Sequence, residues 1–319
     1  MKKIILMNLT LLCVLSAFGQ TSQKRPATTS AKKLVTTPAQ NPATQQPVKP
    51  KRPKMAIEYF AEFDLSDNKV FGESHANDEG KYFKQPGAKR ACPDGWHLPT
   101  EYELEGIVPR GGRKGDDWNV RPLKFFDNGR NLMNWPENIQ IGKDDTAKVY
   151  LGDFSYPGNN ICYALRFKKD NVSTTDNKML AAYKYELLGL ITDRPDGPQK
   201  PGPAFRLKVT VRYLGENFEG TIADIANEDF WQNNKNNDVV RIFSAGGTTW
   251  GKPGGGLGNS GYYMSSSVTR SEEYRNLDVV KTTATNDEIS AMNFGINGAS
   301  VGGVSPPDLI MYVRCVSDK

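Results

Sequence analysis

The sequence predicts an α+β single domain, rich in strands with few short helices, over residues 55–319. Three observations predict it. Apolar and polar residues alternate with the period of a half-buried strand in two clear segments, helix signals are few and short, and composition breaks once, near residue 54. Removing the first 54 of 319 residues leaves 265, more than the commonest domain size but within one large unit.

Residues 1–19 stand apart from that domain. Lys2 and Lys3 precede an apolar run at 4–14 and a small-residue site at Ala17-Phe18-Gly19, the pattern of a secretory signal peptide. The run is too short to cross a bilayer, which takes about 20 residues, and no later segment approaches that length, so no transmembrane segment is expected. Cys13 follows Leu12 inside the apolar run, where a lipoprotein signal needs a small residue before its modified cysteine. The expectation is an exported protein, in the periplasm, on the outer-membrane surface or outside the cell.

Residues 20–54 have no aromatic and no acidic side chain and are rich in Pro, Thr, Gln and Lys. Such a segment buries too little surface to offset its ordering entropy, and its prolines favour extended structure, so it reads as a disordered basic tether. It holds eight of the 41 Lys and Arg and the signal holds two, leaving 31 against 36 acids, about −5 for the domain itself. The basic balance therefore belongs to the tether, which is suited to touching an anionic envelope surface. The acidic domain is a poor match for nucleic acid, whose phosphates call for a surplus of Lys and Arg.

Within the domain, 206–214 alternates cleanly: Leu207, Val209, Val211 and Tyr213 on one face, Arg206, Lys208, Thr210 and Arg212 on a wet one. Ile161, Tyr163, Leu165 and Phe167 alternate likewise with Cys162, Ala164 and Arg166. Further strands are expected at 56–63, 179–188, 239–243 and 312–316. The turn-rich stretch 191–205 reads as a long loop between flanking strands. Thr100 and Glu103 form a capping box that opens a short helix, with Leu104, Ile107 and Val108 as its apolar stripe and Pro109 as its stop. A second short helix starts near Thr221, with Ile222 and Ile225 inward and Trp231 just beyond.

Two segments bracket the domain: CPDGWHLPTEYELE at 92–105 and YVRCVSDK at 312–319. With ADIANEDFW at 223–231 and GYYMSSS at 261–267, they resemble the Fibrobacter succinogenes major paralogous domain, a family found mostly in exported bacterial proteins. GWHLPTEYE, the following RGG and the terminal RCV are more distantly similar to the formylglycine-generating, sulfatase-modifying family. That second resemblance implies a C-type-lectin-like, sulfatase-modifying-factor-like fold. Its chemistry is not implied, because those enzymes need a close pair of late cysteines and only Cys315 lies beyond Cys162. The residues also have a purely structural reading. Trp96 and Leu98 pack the entry to the Thr100 helix, Pro93 and Pro99 set the chain's approach, and the Arg314 flank keeps the last strand's outer face wet. His97, one of two histidines, reads as a satisfied, partly buried side chain rather than a catalyst or metal ligand.

Export places Cys92, Cys162 and Cys315 where disulfides persist. Cys92 and Cys315 sit beside the two bracketing motifs, so a bridge between them is expected, worth roughly 4 to 5 kcal/mol from loop-closure entropy. Cys162 then remains as a buried small hydrophobe.

Gly256, Gly258 and Gly261 match the dinucleotide fingerprint formally, but a strand rather than a helix should follow, so a surface loop is expected and no cofactor. The acidic pairs Asp78-Glu79, Asp116-Asp117 and Asp144-Asp145 lack calcium-loop spacing, and no metal site is expected. Ligand-binding candidates are Trp250, Asn259, Tyr262, Tyr263, Ser265 and Ser266: aromatic faces for sugar rings, with amides and hydroxyls for their hydrogen bonds. The alternative places Tyr262 and Met264 in the core. The leading expectation is a non-enzymatic envelope or surface protein, an adhesion or fimbria-associated assembly module with an envelope partner. A carbohydrate-binding lectin-like domain follows, and a carboxylate-pair hydrolase last, since no catalytic pair can be assigned.

Overall fold

The computed structural model describes residues 52, 54–111, 122–132, 136–140, 146–169, 177–195, 197–215, 217–233, 235–248, 257–269, 288–302 and 309–318. They belong to a compact unit that starts at Arg52. Its elements in chain order begin with β1 (Leu65–Asp67), β2 (Val70–Phe71), α1 (Gln85–Ala88), β3 (Trp96–His97), α2 (Glu101–Glu105) and β4 (Leu123–Lys124). Then come β5 (Asn128–Leu132), β6 (Pro136–Gln140), β7 (Thr146–Pro157), β8 (Ile161–Lys169), β9 (Asn177–Thr192) and β10 (Gln199–Tyr213). Helices α3 (Ile222–Ile225) and α4 (Glu228–Gln232) precede β11 (Asp238–Ser244), β12 (Ser260–Thr269), β13 (Glu288–Gly295), β14 (Gly298–Val301) and β15 (Val316–Ser317). The fold is strand-rich α+β. A seven-stranded antiparallel sheet runs β11-β10-β9-β8-β7-β5 with β6 also on β7, and a four-stranded sheet runs β12-β13-β14-β4.

The seven-stranded sheet is covered on both faces. Cys162, Ala164, Tyr183, Tyr185, Leu207, Val209 and Val211 pack into the main core with Leu104, Ile107 and Val108 below α2 and with Met292 and Phe294 of the smaller sheet. Tyr163 and Ala182, on the opposite face, pack with Ile222, Ile225 and Trp231. Alternation in β8 therefore separates two buried faces. The same is partly true of β10, whose polar face was expected to be wet. Thr210 and Arg212 are buried there, and Arg212 donates to Asp238 at 2.6 Å while its guanidinium stacks on Phe230 and Trp231. Trp231 lies inside α4, whose N-cap Asn227 accepts from the Phe230 N–H.

Helix α2 is only five residues long, so nearly all of its backbone groups need outside partners. The expected capping box is present: Thr100 accepts from Glu103 N, and Glu103 accepts from Thr100 N at 2.7 Å. At the other end, Arg166 donates to the carbonyls of Glu105 and Gly106, and Tyr183 and Tyr185 donate to Gly106 and Ile107. Polar groups from the sheet thus finish the helix.

Three expectations fail for identifiable reasons. Residues 56–63 open as a 3-10 turn, Ala56–Tyr59, because Glu58 folds back to accept from Met55 N at 2.7 Å and Arg52 Nη1 at 2.6 Å. Residues 191–205 are mostly strand: Gln199, Lys200 and Pro201 pair with Thr192, Ile191 and Leu190 before the register breaks and resumes at Arg206 opposite Leu188. The break falls where prolines lack an N–H to lend and where Gly189, at φ +69°, faces Ala204; a Cβ on Gly189 would come 2.0 Å from the Ala204 carbonyl oxygen. Residues 312–316 form no continuous strand: Tyr312 bridges Tyr263 in parallel, and a ladder begins only where Val316 and Ser317 join His97 and Trp96.

Arg314 departs furthest from expectation: it is fully buried, not beside water. Its Nε donates to Asp64 Oδ1 at 2.6 Å, and its other nitrogens donate to the carbonyls of Ala61, Glu62 and Ile242. Tyr263 donates to the other oxygen of Asp64 at 3.0 Å and receives the Ser244 N–H at 2.7 Å. Beside this network, Cys92 and Cys315 form a disulfide with Cα atoms 5.9 Å apart.

Arg314→Leu leaves the Asp64 carboxylate buried without its cation and should cost about 3–5 kcal/mol in urea unfolding. The double variant Arg314→Leu/Asp64→Leu should lose less than the single one. Separately, Cys92→Ser should lower stability by about 2–5 kcal/mol relative to the oxidised protein and by nothing relative to the reduced one.

Candidate functional site

A groove of about 670 Å³ opens where three distant segments meet: 76–78, the β9–β10 arm at Ile191 and 200–206, and 257–259. Asn77 holds the three walls together. Its Nδ2 donates to Pro203 O at 2.7 Å, its Oδ1 accepts from Ala245 N at 3.0 Å, and its carbonyl accepts from Tyr312 Oη at 2.5 Å. Gly258 N donates to the same Ala245, at its carbonyl, at 2.7 Å. The ring of Tyr312 lies so close to Gly80 and Gly246 that a Cβ on either would fall 2.5 or 2.2 Å from it, so only glycine fits beneath the groove floor.

The rim is apolar and the inside is charged. Ile191 and Leu257, 42% and 43% exposed, are among the few large aliphatics left open to solvent. Lys200 is engaged by Asp193 at 2.5 Å. Arg206 differs: its Nε is shielded from solvent, and its guanidinium has no hydrogen bond or ion pair among the described residues. Neighbouring His75 has its pKa pushed down, first by burial and then by the cations Arg314 and Arg206, so it is neutral near pH 7. A second groove, of about 780 Å³ beside Cys92, has its lysine paired, Lys69 to Asp94 at 3.4 Å.

Of the ligand candidates, Asn259 alone is placed on the groove. Trp250 lies outside the described residues. Tyr263 and Ser265 are corrected to core positions: Tyr263 is buried in the Asp64 network, and Ser265 is buried and donates to Ser290 O at 2.7 Å. Tyr262 packs against the cluster around Met264, and Ser266 gives its N–H to Pro99 O at 2.7 Å, so neither reaches the groove. Glu79 closes its own loop by accepting from Glu73 and Ser74, while Asp78 lines the groove. Asp116, Asp117, Asp144 and Asp145 lie outside the described residues. Sequence reasoning missed Asn77, Ile191, Arg206 and Leu257; the only local hint was Leu257, a lone aliphatic in a glycine run.

The reactive groups elsewhere are committed to structure. Cys162 is buried and its thiol pKa is pushed up by that burial. His97 lies between Glu103, 2.9 Å from its Nε2, and Asp318, 2.7 Å from its Nδ1. The hydrogen bond to Glu103 leads in raising its pKa. A raised histidine pKa stabilises the fold fully below the unfolded value of about 6.5, and that contribution fades as pH climbs through the higher folded value. Urea midpoints should therefore drop as pH is raised from 6.5 into the alkaline range. His97→Gln should flatten that part of the profile.

Two comparisons find no counterpart: no curated protein and no solved structure matches the chain. A family described as Domain of unknown function (DUF8237) matches residues 52–301, well over half of the sequence and starting where the compact unit starts. The chain therefore belongs to the DUF8237 family.

Proposed function

We propose that this protein is an exported, non-enzymatic binding module of the bacterial envelope, an adhesion or assembly (fimbria-associated) component that engages its partner through the groove at 76–78, 200–206 and 257–259. The observation that carries this reading is a groove with walls pinned by Asn77, an aliphatic rim at Ile191 and Leu257, and a cation at Arg206 that is unpaired among the described residues. Preformed concave sites with a few fixed polar groups suit binding. The Cys92–Cys315 bridge supports export, because disulfides persist in oxidising compartments. Among the described residues no helix is long and apolar enough to cross a membrane.

The resemblance to the major paralogous domain supports the envelope setting. The C-type-lectin-like reading of the fold draws on the more distant resemblance and on the pairing of β3 with β15, which joins the two ends of the domain. The non-enzymatic reading draws on the structural commitments of His97, Tyr263 and Cys162. Carbohydrate binding is the second reading, favoured by the exposed amide of Asn259 in the groove.

Whole-cell binding by the purified protein tests the reading. Leu257→Asp should lower binding about tenfold, the scale of losing one buried aliphatic contact, without changing the melting temperature. Unchanged binding by that variant would remove the groove from the function.

A further inference from the structure

We infer that the occupant of the groove is an extended peptide segment of a partner protein, bearing a carboxylate between apolar residues, with Arg206 as the group that receives the carboxylate. This rests on the groove being the binding surface and adds the chemistry of what it holds.

Three observations point to that chemistry. The first is charge. Lys200 already has Asp193, and the His75 side chain beside Arg206 is neutral near pH 7, so no anion among the described residues is bonded to the guanidinium. A carboxylate matches the planar fork of an arginine that has no anion of its own, with two parallel hydrogen bonds. The second is the wall. Ile191, Pro201, Pro203 and Leu257 offer aliphatic surface, and the described lining has no aromatic face on which a sugar ring would stack. Aliphatic walls flanking one cation suit apolar side chains on either side of an acid, spaced along an extended chain. The third is Asp78 on the opposite wall. It repels a uniformly acidic ligand and accepts the N–H groups that a peptide carries and an acidic polysaccharide lacks in such density.

The other edge of this region excludes a different mode of peptide capture. At the end of β11 nearest this region the free edge is taken, because Ile242 O and the backbone of Ser244 are occupied by Arg314 and Tyr263. A peptide in the groove is therefore read by side chains and not by pairing with Ile242 or Ser244.

The test uses the full protein on an array of random dodecapeptides, with polygalacturonate and neutral oligosaccharides alongside. Bound peptides should be enriched in Asp or Glu flanked by Leu, Ile, Val or Pro. Changing that acid to its amide should weaken binding to the wild type about tenfold, the scale of one charge-assisted pair, and should not weaken binding to Arg206→Gln. Leu257→Ser, at an exposed position, should weaken the same peptides even if Arg206→Gln fails to fold. Enrichment of basic or neutral peptides, no enrichment at all, equal sensitivity of wild type and Arg206→Gln to the amide, or retention of polygalacturonate in place of peptides would each overturn the inference. If Leu257→Asp still lowers whole-cell binding in those cases, the groove remains the binding surface and only the peptide assignment falls. If whole-cell binding ignores Leu257, both fall.

Discussion

Arg314 carries a guanidinium into the centre of the domain, and three other chain segments arrange themselves around it. Taking that charge out of water costs several kcal/mol, which is recovered only when an anion and further acceptors meet it in good geometry. Asp64 supplies the anion, and the carbonyls of Ala61, Glu62 and Ile242 supply the rest. Those acceptors sit on the segment before β1 and on β11, while the arginine comes from the last ten residues and Tyr263 from β12. Satisfying one buried cation thus sets where the N-terminal segment, the sheet edge, the smaller sheet and the C-terminal segment lie. It also occupies the end of the β11 edge, where the outward Ile242 carbonyl and Ser244 amide would otherwise be open to another strand.

The strands carried by strong alternation were legible, and so were the two capped helices, because each is decided within a dozen residues. The bracketing cysteines were legible for a different reason: the domain holds three cysteines, so few pairings compete. What could not be read was which faces are covered. Arg212 and Thr210 carry the pattern of a wet face, yet α4 folds over them, and the sequence of β10 holds no mark of a helix that arrives later in the chain. Arg314 was misread for the same reason. A buried ion pair looks like surface polarity until its partner, 250 positions away, is known.

The groove lay further from view. Its walls come from 76–78, 200–206 and 257–259, and no local pattern links them. Aromatic residues near the glycine run drew attention to sugar binding, but Tyr263 is needed in the Asp64 network and Tyr262 in the core beside Met264. Asn259 lies exposed on the groove, as suits a polar residue between glycine and serine at a strand entrance. The residues that distinguish the groove, Arg206 and Asn77, gain their meaning from what surrounds them. One is a cation with no bonded anion among the described residues, and the other a short amide that ties three loops.

The position of the disulfide has a mechanical consequence. It closes the chain from Cys92 to Cys315, a separation of 223 residues, and leaves 52–91 outside the covalent loop. Tension drawn through the residues before Arg52 would therefore peel the domain in a set order. The Glu58 turn yields first, then the strand-like run at 60–65 that lies against 313–316, then the loop that carries Asn77. Extension would stop at Cys92, where the disulfide takes the load. The wall of the groove built by 76–78 lies on the peelable side of that stop, and the walls built by the β9–β10 arm and 257–259 lie on the protected side.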